Sequence, residues 1–192
     1  MSSRTLTGLL LIIGPILLIL GYIVLGVNLS GLDWGDTQGT VDQFGANSGL
    51  VKILLLIATL GMIMGAAGWV GLNQTMAGGP GAHYAIVGLL FYAIGTAVAI
   101  GETSLLIGTA EAASAGQQAV AEALYDASQA LGAGGIATFM LGLTVIGVGV
   151  FVQKNLHQIL AALLVIVGII GTAGALVDYS SELMVVPYFG SV

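Results

Sequence analysis

The sequence predicts an all-α integral membrane bundle of about five transmembrane helices, with the N-terminus inside and the C-terminus outside. Of the 192 residues, 57% are hydrophobic and 6% charged, whereas a water-soluble domain carries roughly 25% charged residues. Several apolar runs exceed the roughly 18 residues that mark a bilayer span. The orientation rests on charge. With the N-terminus inside, Arg4 and the turn carrying Lys154 face the cytoplasm, as the positive-inside bias requires. All nine acidic residues then fall at or near the outer face, and Lys52 is the exception among the three basic residues.

The first span covers about 5–27. Arg4 precedes it as in a secretory signal, but its apolar part is too long and has no small-x-small cleavage site. It therefore reads as a retained helix, kinked at Pro15. Residues 28–47 are polar and glycine-rich, which predicts an outer loop whose Trp34 sits at headgroup level. The second span is 49–72, and the third, 84–107, follows an inner turn in which Gly78-Gly79-Pro80-Gly81 stops any helix. Residues 109–131 form the second outer segment. Within it Val120, Ala123, Leu124, Ala127 and Leu131 recur at helical spacing, predicting an amphipathic helix on the surface or extending the next span. The fourth span is 134–152 and the fifth 158–177, joined by the inner turn 153–157. The remaining tail is too short to cross again, so the chain reads as a single membrane domain over 1–192. Ile57-Ala58-Thr59 and Ile136-Ala137-Thr138 occupy equivalent places in two loop-helix-turn-helix units, a faint internal echo of the kind transporters show.

Composition also excludes. There is no cysteine, hence no disulfide, thiolate metal site or iron–sulfur cluster. A net charge of −6 with three basic residues leaves no cationic surface for nucleic acid. No phosphate-binding, dinucleotide-binding or nucleophile motif is present, so neither catalysis nor a cofactor is expected. Asn28-Leu29-Ser30 matches a glycosylation sequon, but it abuts the membrane.

Glycine is the most informative residue, at 31 of 192. Gly61, Gly65 and Gly68 share a face of the second span, while Gly135, Gly142 and Gly149 repeat every seven residues in the fourth, as do Ala161, Gly168 and Ala175 in the fifth. Small residues at such spacing let helix backbones approach closely in lipid, where association depends on packing rather than on hydrophobic exclusion. Leu143, beside Gly142, reads as lipid-facing.

Glu102 is the sharpest functional candidate. Gly88, Gly95 and Ala99 precede it on the same face of the third span, so it should face protein, and an ionisable group at depth is a functional hypothesis by default. Its ordinary reading is an interfacial carboxylate near the outer end of its helix, contacting Lys52, a hydroxyl, water or another subunit. Asp178, on the face of Gly171 and Gly174, and Glu182 join it as candidate outer carboxylates able to hold a hard cation, although solvated helix ends explain them as well. His83 and His157 both fall in inner turns, where interfacial anchoring is their default role.

The pattern Gly71-Leu72-Asn73 through Ala77-Gly78-Gly79-Pro80-Gly81-Ala82, followed by an apolar helix, an alanine-rich segment and a last helix pair, resembles the uncharacterised small multi-span proteins grouped as DUF4386-like. The similarity covers about 49–177 and implies a bundle of five or six helices with no known activity; the five spans here depart from a six-span rule.

Two functions are expected. The first is a non-catalytic accessory or structural subunit of a larger complex in the cell membrane, such as an oxidase, respiratory or monooxygenase assembly. It rests on the missing catalytic groups and on glycine faces beyond what a lone bundle needs. The alternative is a small transporter or channel for protons, cations or a small neutral molecule, resting on Glu102 and the internal echo.

Overall fold

A computed structural model describes residues 2–29, 32–154 and 157–177. Among these the chain forms six helices and no strand: α1 (Ser3–Asn28), α2 (Thr37–Ala46), α3 (Ser48–Thr75), α4 (Ala82–Ser114), α5 (Gln118–Gln153) and α6 (Gln158–Val177). All but α2 are long and apolar enough to cross a membrane, so the architecture is that of a multi-pass membrane protein. The local chemistry sets the boundaries. Ser2 caps α1 by accepting from the Thr5 amide at 3.2 Å, and the Asp36 carboxylate caps α2 through the Gly39 amide at 3.1 Å, each satisfying an orphan donor of a first turn. Gly116, at φ +74°, makes the tight turn between α4 and α5, a left-handed conformation that glycine adopts at no steric cost.

The spanning helices pack in the order α1, α3, α4, α5, α6, with the most extensive contact between α4 and α5. Glycines determine how close that contact is. A β-carbon on Gly88 would lie 2.6 Å from the Ile146 nitrogen and 2.8 Å from the Gly142 carbonyl oxygen, and one on Gly142 would lie 2.8 Å from the Gly88 oxygen. Gly95 stands in the same relation to Gly135, and Gly81 to Gly149. Each step of seven down one helix thus meets a step of seven up the other, the spacing of an antiparallel left-handed pair. The α1–α3 contact is built alike: a β-carbon on Gly14 would lie 2.5 Å from the Gly65 nitrogen, and one on Gly61 2.5 Å from the Leu18 nitrogen, while Gly68 abuts Leu11. On α6, Gly168 lies against Thr144 and Met140, and Gly171 against Met140. Large aliphatic side chains such as Ile12, Ile53, Leu90 and Ile166 project outward from the bundle.

Two sequence expectations change here. The glycine faces are occupied by contacts within the chain, so they are not spare docking surface. Leu143 is 1% exposed and belongs to the core, because α5 has neighbours on several sides; its outward-facing residue is Leu141.

The segment 28–47 is also more than a loop. Helices α4 and α5, of 33 and 36 residues, are about 50 Å long at ~1.5 Å per residue, against a hydrocarbon thickness of about 30 Å. They form one hairpin that overhangs the span at the Lys52 end, and α2 packs on both. This platform has its own core. Phe44 meets Trp34 and Tyr125 edge-on at ring-centroid distances of 6.0 and 6.5 Å, so Trp34 is held by protein. The expected amphipathic helix is the first part of α5, but its buried stripe is Ala121, Tyr125, Ser128 and Gly132, while Val120, Ala123, Ala127 and Leu131 are exposed. Close approach to α4 selects small side chains on that face and turns the large aliphatics away. The two units of the internal echo pack unequally, α5–α6 far more extensively than α3–α4.

If close glycine contact sets the bundle, Gly142→Leu will lower thermal stability in detergent by at least the ~1–3 kcal/mol of an overpacked core. Leu141→Ala, which trims an outward-facing side chain, will stay within about 0.5 kcal/mol of the parent. Equal melting temperatures for the two variants would contradict this packing.

Candidate functional site

Chemistry-bearing residues gather at the Lys52 end of the bundle, in two layers. The lower layer is built on the α4–α5 register. One further step of seven beyond Gly95 and Gly135 brings Glu102 on α4 to the level of Ser128 on α5. Glu102 is 5% exposed, and Ser128 and Thr103 are fully buried. From α1, Tyr22 comes within interaction range of Thr103 and Glu102. The Thr103 Oγ1 donates to the Ala99 carbonyl at 2.9 Å, and the Ser128 Oγ donates to the Tyr125 carbonyl at 2.6 Å.

Glu102 therefore sits inside the protein rather than in a solvated rim. Lys52 is not its counter-ion: the ammonium bonds the Glu111 carboxylate at 3.0 Å, on the surface. Such an exposed pair contributes at most about 1 kcal/mol. Asp178 and Glu182 lie outside the described residues. Tyr22 and Ser128 were missed by sequence reasoning, although Ser128 is found by continuing the series Gly149, Gly142, Gly135 one step further.

The upper layer is the platform. Tyr125 donates to the Trp34 carbonyl at 2.7 Å, and the Thr40 hydroxyl donates to the Asp33 carbonyl at 2.7 Å. Burial, foremost, pushes the Tyr125 phenol from 10.0 up to about 12; the Thr40 hydroxyl opposes the shift and the Asp33, Asp126 and Glu102 charges add to it. The phenol thus stays a neutral donor well above neutral pH. Polar bonds stitch α2 to the hairpin: Thr37 donates to Asp126 at 3.2 Å, and the Gln118 amide to Asp42 at 3.3 Å; within α5 the same amide also donates to Glu122 at 3.0 Å. Asp33, Asp36, Asp42, Glu111 and Asp126 are exposed, giving the platform an acidic surface.

Below Glu102 a cavity of about 40 Å³ lies among α1, α3, α4 and α5, bordered by Pro15, Trp69, Tyr92, Ala99 and Phe139. It begins one helical turn from Glu102, at Ala99. Tyr92 packs on Phe139 at 4.5 Å and on Trp69 at 5.9 Å between ring centroids. At the opposite, Arg4 end, the Gly81 amide donates to Gln153 at 2.9 Å and closes the bundle. His83 and His157 are both exposed there, and among the described residues no three metal-ligating side chains gather.

No family model, no curated protein and no solved structure matches this chain, so the resemblance noted above stays one of composition and spacing.

Proposed function

We propose that the chain is a non-catalytic accessory subunit of a larger complex in the cell membrane, and that it docks through the platform. The observation carrying this reading is the length of α4 and α5: a helical hairpin of 33 and 36 residues, longer than a bilayer needs, whose far end has its own aromatic core and is clothed in carboxylates. A bundle alone needs no such extension. Since the glycine stripes are used within the chain, the docking surface moves from the membrane faces to this platform. Its chemistry fits a basic segment on a neighbouring subunit, of an oxidase, respiratory or monooxygenase assembly for example, because complementary charge steers and orients association.

Charge also supports the orientation. Arg4 and Lys154 lie at the end opposite the platform, so the positive-inside bias puts that end, and the N-terminus, in the cytoplasm and the platform outside. A second reading, transport of protons or cations, is favoured by the burial of Glu102 beside a cavity in the membrane span.

Two experiments test these readings. The chain has no cysteine, so Gln38→Cys and Gln117→Cys should each react with a membrane-impermeant thiol reagent on intact cells, and Ala77→Cys should not. The reverse pattern would invert the orientation. Purification from native membranes in mild detergent should bring down stoichiometric membrane subunits. The triple variant Asp42→Asn, Glu122→Gln, Asp126→Asn keeps the hydrogen-bonding shapes and should lose them. A lone homo-oligomer, or partners indifferent to the triple variant, would end the docking reading.

A further inference from the structure

Two tightly packed helix pairs form the walls of the bundle. Gly14 and Gly61 bring α1 onto the backbone of α3, and Gly88, Gly95 and Gly142 bring α4 onto that of α5, each with no room for a β-carbon. The seam between the pairs is looser: α1 packs its backbone extensively on α3 alone, and α3 meets α4 far less extensively than α4 meets α5. The cavity of about 40 Å³ lies in this seam, and walls pinned by their own backbone contacts do not collapse onto it. Gly65 contributes to the space. It is buried, yet a β-carbon there would meet only the Tyr92 hydroxyl, at an ordinary 3.5 Å, so the volume its missing methyl leaves belongs to the cavity.

The wall is apolar. Trp69 and Tyr92 bring the only side-chain N–H and O–H groups to it, and the two lie within interaction range of each other. A retained water needs two to four polar partners, whereas dry apolar cavities take up xenon or benzene. The volume lies between the roughly 10–15 Å³ that one water requires and the roughly 150 Å³ of a cavity that holds benzene, which suits a molecule of two or three heavy atoms. Leu11, Pro15 and Trp69 line the cavity and are themselves half-buried, so on that side one layer of side chains separates it from lipid.

We propose that this seam is a binding site for one apolar molecule of diatomic size, taken up from the lipid, with dioxygen the physiological candidate. Such a molecule has no charge and no hydrogen bond to satisfy, and it restores the dispersion contacts that the atoms lining a void lack. The site holds the molecule without reacting with it, and it depends on neither the docking nor the transport reading.

The test uses the full chain in nanodiscs, with xenon as the probe. The ¹²⁹Xe resonance should show saturable binding to one site above the linear uptake by the lipid, and dioxygen should compete for that site. Gly65→Ala fills the cavity without a clash and should abolish saturable binding while the protein folds normally. Gly134→Ala is the control: it makes the same change on an exposed helix face with open space around it, and should leave binding intact. The chain has two tryptophans, so in the Trp34→Phe variant Trp69 is the sole emitter, and dioxygen should quench part of its fluorescence statically, a part that Gly65→Ala removes. If Trp34→Phe does not fold, the xenon competition in the parent chain still decides. Xenon uptake that stays linear with pressure, saturable binding unchanged by Gly65→Ala, or xenon binding indifferent to dioxygen would each overturn the proposal.

Discussion

The backbone contact between α4 and α5 is the constraint on which the rest of the molecule depends. In lipid there is no hydrophobic exclusion to press helices together, so their association rests on van der Waals contact and on the few polar groups they bury. At Gly88 and Gly142 the two backbones touch, with no room for a β-carbon on either side. That closeness lets two helices of 33 and 36 residues run together beyond the bilayer as one hairpin. It also fixes the level at which every side chain of one helix meets the other. The platform and the Glu102 layer are both consequences of this register.

Much of this was legible in the residues. The fifth span was read at the boundaries α6 has, and the glycines in steps of seven mark interfaces because a missing side chain has one structural use in an apolar helix. The helices' partners were not legible. A glycine stripe shows that something approaches closely but does not say whether it is a neighbour in the same chain. Leu143 was misread for a related reason: on a helix with neighbours on several sides, adjacency to glycine does not distinguish a lipid face from another protein face. The platform was hidden by its composition. Residues 28–47 look like a loop because their helix has only ten residues and its burial depends on Phe44 and Val41 meeting a hairpin distant in sequence. The partner of Lys52 was likewise a matter of helix length: Glu111 comes into reach because α4 continues past the expected end of its span.

The two ends of the molecule differ in kind. The Arg4 end has a tight turn between α3 and α4, with Gln153 reaching the Gly81 amide. The Lys52 end is extended, aromatic and acidic, and beneath it lies the one level where the glycine series gives way to oxygen. A carboxylate in that series is costly to place, and the cost falls where partners within the protein surround it. The exposed carboxylates above it and the buried one below it are chemically separate: the former are open to solvent, the latter is enclosed by the bundle.

The register itself can be measured directly. Disulfide formation requires Cα atoms about 4.4–6.8 Å apart, so oxidation of the full chain carrying Glu102→Cys with Ser128→Cys should cross-link α4 to α5 rapidly and nearly completely. The offset pair Glu102→Cys with Gly135→Cys, one step of seven away, should remain reduced. Equal cross-linking of both pairs, or cross-linking of the offset pair alone, would contradict the register and with it the placement of the platform and of the oxygen layer.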